Sequence, residues 1–257
     1  MLIALTRPVP PSIGRCELTH LAREPIDVAR AARQHQRYEA ALAELGCSVR
    51  RLPPMPDHPD AVFVEDTAVV LPELAILARP GAASRRAEVD AVADALRPYR
   101  ALVAIESPGT LDGGDVLRVG SRVYVGASGR TNAEGIRQLA AILAEHGYEV
   151  RPVAVSGCLH LKTAVTQVDD DAVLLNPGWV DPGTFGELDR IEVDPEEPFA
   201  ANAVRVGAAL LHPAACPRTR RRLERRGLDV RPIEADELAR AEAGLTCCSI
   251  LVPALLP

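Results

Sequence analysis

The chain has 257 residues, 47% of them hydrophobic but only 3% aromatic, and its formal net charge is −6. That length allows one large domain or two small ones around a sizeable core, and the scarcity of rings means that Ala, Val and Leu must fill it. The acidic balance argues against nucleic acid as the main partner, and no apolar run reaches the length of a membrane-spanning helix.

The N-terminal stretch Met1 to Pro8 lacks a basic start, a long apolar segment and a cleavage site, so it predicts a first strand and not a secretion signal. A Pro- and Gly-rich loop from Arg7 to about Glu24 is long enough to be a lid, with Ile13, Leu18 and Leu21 as its apolar residues; an ordinary surface loop is the alternative. Ile26 to Leu45 predicts an amphipathic helix ending at Gly46, followed by a strand over Ser48 to Leu52 and a turn-rich link from Pro53 to Asp60.

From there the chain repeats itself with a period of roughly 45 residues. Ala61 to Val70 leads to a strand near Leu74 to Ala78, a helix from Ser84 to about Tyr99 and a strand near Ala101 to Ile105. Leu111 to Leu117 leads to a strand over Arg122 to Val125, a helix over Thr131 to His146 with Thr131 and Glu134 as a capping box, and a strand over Glu149 to Val153. Leu159 to Val165 precedes a strand over Ala172 to Leu175. Ala201 to Val204 precedes a strand over Ala208 to Leu211, a helix over Arg218 to Arg226 and a strand over Leu228 to Pro232. The last apolar stretch, Gly244 to Ile250, reads as a strand whose alternation sends Cys247 and Cys248 to opposite faces. It opens a fifth unit whose remaining elements must come from the N-terminus. The expectation is therefore one α/β domain over residues 1–257, a five-fold pseudosymmetric α/β propeller of repeated ββαβ units, closed by pairing of the N- and C-terminal segments.

Unusual polar residues fall at the same point of successive units: Glu65 and Asp66, Asp112, His160, Asn202 and Cys247. In a ring of like units such positions converge on the axis, so one cleft would hold carboxylates, a histidine and a thiol. Several carboxylates around one point suit a cation, and planar pairing suits a guanidinium. A metal is the rival, but there is no close-spaced pair of structural-zinc ligands. Arg85 and Arg130 sit where predicted helices begin, positions that attract anions. A ligand with a guanidinium at one end and an α-carboxylate at the other, such as arginine or its N-substituted relatives, satisfies both regions. The cysteines, Cys16, Cys47, Cys158, Cys216, Cys247 and Cys248, have no CxxC spacing and suggest free thiols in a reducing cytoplasm.

These stretches resemble the dimethylarginine dimethylaminohydrolases of the guanidino-group-modifying (pentein) superfamily. The resemblance is carried by Asp27 to Gln36, Val62 to Asp66, Arg79 to Arg86, Leu111 to Val116, Gly129 to Asn132, Leu159 to Lys162 and Leu245 to Ser249, in family order. It implies hydrolysis of Nω-methylated arginines to citrulline and methylamines through a covalent thiouronium on cysteine. By position it implies Cys247 as nucleophile, His160 as general acid and base, and Asp112 as the carboxylate supporting the histidine. Glu65 and Asp66 would face the guanidinium, Asp60 and the Ala241 carbonyl would hold the α-amino group, Arg85 and Arg130 the α-carboxylate, and Leu18 would close the lid. In Ala241-Glu242-Ala243-Gly244 the glycine is shifted by one place from the family pattern. The resemblance implies no cofactor, no metal other than zinc as an inhibitor at Cys247, a small-molecule substrate, and a monomer or homodimer. An arginine deiminase-like hydrolase of free arginine and a non-catalytic binding protein of the same architecture are the alternatives.

Overall fold

A computed structural model gives residues 2–253; Met1 and residues 254–257 lie outside the described residues. The chain begins with β1 (Leu2–Thr6), α1 (Val28–Glu44) and β2 (Cys47–Arg51). Helix α1 starts where the Asp27 side chain accepts the Arg30 N–H, and it buries Ala31, His35, Tyr38 and Leu42 at helical spacing. Gly46 follows it at φ +88°, the left-handed position that closes a helix.

The second unit comprises β3 (Ala68–Val70), β4 (Leu74–Leu77), α2 (Val89–Leu96) and β5 (Ala101–Ala104). The third comprises β6 (Val116–Val119), β7 (Arg122–Ala127), α3 (Ala133–Ala144) and β8 (Glu149–Ala154). A short helix α4 (Leu161–Ala164) introduces β9 (Val165–Asp169), β10 (Ala172–Leu175) and β11 (Asp189–Glu192). The last strands are β12 (Val204–Val206), β13 (Ala209–Pro213), then α5 (Pro217–Arg225), β14 (Asp229–Ile233), α6 (Asp236–Ala239) and β15 (Ile250–Pro253).

Five three-stranded sheets result, and they share one plan. The first strand runs antiparallel to the second, and the second runs parallel to the third: β3-β4-β5, β6-β7-β8, β9-β10-β11 and β12-β13-β14. A parallel pair needs a crossover, which α2, α3 and α5 supply; between β10 and β11 a 3₁₀ turn, Pro182–Phe185, stands in for the helix. The remaining sheet is assembled from both ends of the chain. β15 is the antiparallel first strand, in register from Leu2↔Pro253 to Leu5↔Ile250, and β1 pairs parallel with β2. β15 lies against β3, β6 against β9, and β9 against β12. The core is aliphatic, as the composition requires: Leu139 and Leu143 of α3 pack with Leu74 and Ile76, and Val92 and Leu96 of α2 with Ile3 and Leu5, all buried.

Several expected elements are corrected. The helix expected over Ser84 to Tyr99 divides into a 3₁₀ turn, Ala83–Glu88, and the shorter α2. With three residues per turn, the 3₁₀ segment aligns Arg85 with Glu88, so both charged groups are buried as a pair. Thr131 does not cap α3; the Asn132 side chain does, accepting the Gly135 N–H. The Thr131 hydroxyl instead donates to buried Asp115, which must find donors of its own. The stretch around Cys247 is not a strand but a 3₁₀ turn, Thr246–Cys248, with the extended backbone resuming at Ser249. A short apolar run does not distinguish a strand from a buried turn by periodicity. Strands β9 and β11 had no counterpart in the repeat read from the sequence.

Candidate active site

In four of the five units the first strand is preceded by a short turn, and the polar residues lie in these turns or at their starts: Val64–Thr67, Gly113–Asp115, α4 and Thr246–Cys248. The turns pack on one another, Val64–Thr67 touching both Gly113–Asp115 and Thr246–Cys248. Two glycines permit this. A Cβ on Gly113 would lie 2.0 Å from the Glu65 carbonyl oxygen, and one on Gly114 would lie 2.7 to 2.9 Å from Asp66 and the His160 ring. The Asp112-Gly113-Gly114-Asp115 stretch is thus a site of close backbone approach, not only a tight turn.

A cleft of about 300 Å³ is lined by Cys247, His160, Asp66, Asp60, Arg85, Arg130 and Ala241, among others. The His160 ring is held between two carboxylates, Nε2 at 3.0 Å from Asp112 Oδ2 and Nδ1 at 3.7 Å from Asp66 Oδ1. Asp112 is fully buried behind the histidine, and its other oxygen accepts the Gly81 N–H. Burial disfavours the imidazolium. Asp66, the Asp112 hydrogen bond and the charges of Asp115 and Asp112 outweigh it and raise His160 to about 9. These groupings bring Asp66, Asp112 and His160 atoms within 4.8 Å of one another; the hydrogen bonds to one another, to Gly81 and Gly114 and to Arg85 account for that cluster.

Cys247 is buried, and the Gly244 N–H points at its sulfur at 3.4 Å. Burial, then the charges of Glu65 and Asp66, push its thiol well above the usual range; the Gly244 N–H and Lys162 oppose them. Cys248 is wholly buried beneath it, in the cluster that includes Tyr38 and Leu42. All six cysteines are free and buried.

The two arginines differ. Arg85 is buried and its guanidinium is occupied: Nη1 bonds Asp66 at 2.5 Å, Nε and Nη2 bond Glu88, and Nη2 also donates to the Asp60 and Phe63 carbonyls. Arg130 is half-buried, and among the described residues its guanidinium makes no hydrogen bond or ion pair. Asp60 accepts the Glu17 N–H of the long loop, and burial pushes its carboxyl up to about 6.

Two residues lie elsewhere. Glu65 lines a different cleft, of about 970 Å³, where it pairs with Lys162 at 2.5 Å and accepts the Thr246 hydroxyl at 2.6 Å. Leu18 is half-buried against the α1 core and is not among the residues lining the Cys247 cleft. Sequence reading passed over Asp115, whose carboxylate gathers the Leu161 N–H and the Ser128 and Thr131 hydroxyls. It also passed over Lys162, Glu88 and Glu242. The second aspartate of the Asp-Gly-Gly-Asp stretch was a visible signal for Asp115; the others have none outside the folded chain.

Residues 99–209, the segment with Asp112 and His160, match the arginine deiminase family model. The N(G),N(G)-dimethylarginine dimethylaminohydrolase of Pseudomonas aeruginosa is 36% identical over 90% of this chain and 91% of its own length. The Streptomyces coelicolor enzyme of the same name is 39% identical over 96% of this chain and 95% of its own. A cysteine-to-serine variant of the Pseudomonas enzyme in complex with citrulline superposes with a TM-score of 0.91 at 34% identity, covering 96% of this chain and 98% of that one. A histidine-to-glycine variant as an adduct with S-methyl-L-thiocitrulline gives 0.92 at 35% identity, covering 98% and 100%. The chain belongs to the dimethylarginine dimethylaminohydrolase family.

Proposed function

We propose that the chain hydrolyses Nω,Nω-dimethyl-L-arginine and Nω-methyl-L-arginine to L-citrulline, releasing dimethylamine or methylamine. The observation that carries the reading is one cleft lined by Cys247, His160 and Asp66 and also by the unengaged Arg130. The relatives bound to citrulline and to a thiocitrulline adduct support it. The five sheets are taken as blades of a single-domain ring with the cleft on its axis, and the substrate as a small molecule acting without a cofactor.

Cys247 thiolate attacks the central guanidinium carbon, forming a C–S bond. The C–N bond breaks with its electron pair going to the amine nitrogen, which takes a proton from His160. A cationic thiouronium remains on Cys247. His160, now neutral, removes a proton from water; the hydroxide adds to the carbon and the C–S bond breaks, returning the thiolate and giving citrulline after proton loss. Splitting the reaction lets one imidazole act as acid and then base. In this reading Asp112 orients His160, Asp66 faces the guanidinium, Asp60 and the Ala241 carbonyl take the α-amino group, and Arg130 is the main α-carboxylate partner, since Arg85 is held by Asp66 and Glu88. Glu65 acts from behind the thiol through Lys162 and Thr246, and Leu18 closes the loop above. Zinc has no step here and would act only as an inhibitor at Cys247.

The test is citrulline formation by purified protein given arginine, monomethylarginine or asymmetric dimethylarginine separately, with Cys247→Ser as the blank. The methylated substrates are expected to turn over and plain arginine to lag well behind. The family-model match keeps the deiminase alternative in view: faster release of ammonia from arginine would replace the proposed function with it.

A further inference from the structure

We propose that Asn202 is a positioning residue for the reaction proposed above, its amide clamping the Gly244–Cys247 turn to the segment that bears His160. Asn202 stands at the point of its unit where the others carry Asp66, Asp112, His160 and Cys247, and it is 2% exposed. Its Nδ2 donates to the Lys162 carbonyl at 2.9 Å and to Thr246 Oγ1 at 3.0 Å, while Oδ1 accepts the Thr246 N–H at 3.0 Å. A carbonyl only accepts and an N–H only donates, so the two ends of the amide are uniquely assigned. The Thr246 hydroxyl donates to Glu65 and therefore presents a lone pair to Asn202. Both polar atoms of the side chain are used, on partners that lie two residues after His160 and one residue before Cys247.

The contact with Gly244 adds a second constraint. A Cβ at Gly244 would fall 2.2 to 2.5 Å from the Asn202 side chain, so the amide packs where no other residue fits. Gly244 in turn directs its N–H at the Cys247 sulfur. Asn202 thus holds Thr246 by hydrogen bonds and Gly244 by packing, both in the turn that leads into Cys247. Its neutrality follows from its partners: a carboxylate of the same shape would accept from Thr246 but set an oxygen against the Lys162 carbonyl. The amide serves as donor and acceptor at once, which no ionised side chain at this position does.

The experiment compares wild type with Asn202→Ala, Asn202→Asp and Gly244→Ala. Melting temperature is recorded, along with the second-order rate of Cys247 alkylation by a haloacetamidine at one pH, and kcat and KM for dimethylarginine. A positioning role lowers alkylation and kcat together by about 10- to 100-fold, with KM within about threefold, because a misplacement of about 1 Å costs that much. Gly244→Ala gives the same pattern from the other side of the contact. Asn202→Asp keeps size and the acceptor for Thr246, and decides the matter if Asn202→Ala does not fold. A folded Asn202→Asp protein with alkylation and kcat within twofold of wild type overturns the proposal. Alkylation requires no turnover. A wild type that labels at Cys247 but forms no citrulline refutes the proposed function, while slower labelling in the variants still supports the role of Asn202.

Discussion

His160 and Cys247 start from opposite electrostatic positions. The histidine is raised to about 9, above its free value, so its protonated form holds through neutral pH and is lost as pH rises through about 9. The thiol is pushed up by burial and by Glu65 and Asp66. These opposite shifts predict an imidazolium and a neutral thiol in the unliganded cleft at neutral pH, in place of a preformed thiolate. A guanidinium arriving in the cleft brings the positive charge that favours thiolate. Neutral iodoacetamide is then expected to label Cys247 slowly at pH 7, accelerating only into the alkaline range. A cationic haloacetamidine is expected to react well at lower pH. Rate profiles for both reagents, read by peptide mass, check this; a free thiolate titrating well below neutral pH contradicts it. Arg85 illustrates the other constraint at this scale. It is buried between Asp66 and Glu88, and removing one partner of such a pair costs about 3–5 kcal/mol, so variants of Arg85 report on stability before they report on binding.

The loop after β1 is held over the cleft by two carboxylates. Glu242 accepts the Thr19 N–H at 3.0 Å and those of His20 and Leu21, and Asp60 accepts the Glu17 N–H at 3.2 Å. Glu242 sits at φ +57°, a left-handed conformation that is uncommon for a residue with a side chain. The loop is thus fastened at the residue that follows Ala241. Arg23 braces the loop internally through the Gly14 and Cys16 carbonyls. Glu242→Ala is expected to speed tryptic cleavage at Arg23 by about tenfold, since local opening governs such cleavage, and to raise KM more than it lowers kcat. Unchanged cleavage and KM would mean that the loop is fastened elsewhere.

At the scale of the whole molecule, the sheet joining the chain ends decides whether the site exists at all. β15 follows the Cys247 turn directly, and its Ile250 and Val252 are buried. Each contributes about 1.5–3 kcal/mol by leaving water. Ser249 joins Tyr38 of α1 at 2.7 Å, and Arg100 reaches the Pro253 carbonyl at 2.5 Å. Val252→Asp places a charge at a fully buried position of this sheet. It is expected to cost about 4 kcal/mol or more and to lower the melting temperature by about 10 °C, with loss of Cys247 labelling by the cationic reagent. A melting temperature within about 3 °C of wild type would show that the sheet joining β15 to β1 and β2 contributes little.

Much of this was readable without the fold. The face of α1, the glycine that ends it, and the strand order of the second and third units follow from local periodicity and turn chemistry, which act within a window of a few residues. The repeat also placed Asp66, Asp112, His160, Asn202 and Cys247 at equivalent points; the turns of the other four meet, and Asn202 joins them through Lys162 and Thr246. Tertiary structure decided the partners. Glu65 and Asp66 are neighbours in the chain yet serve different clefts, Arg85 is occupied while Arg130 is not, and Thr131 gives up the helix cap to Asp115. The Thr246 hydroxyl and its Glu65 acceptor are 181 residues apart. A buried polar group takes whichever partner the fold brings within reach, and that distance lies beyond any pattern in the sequence around it.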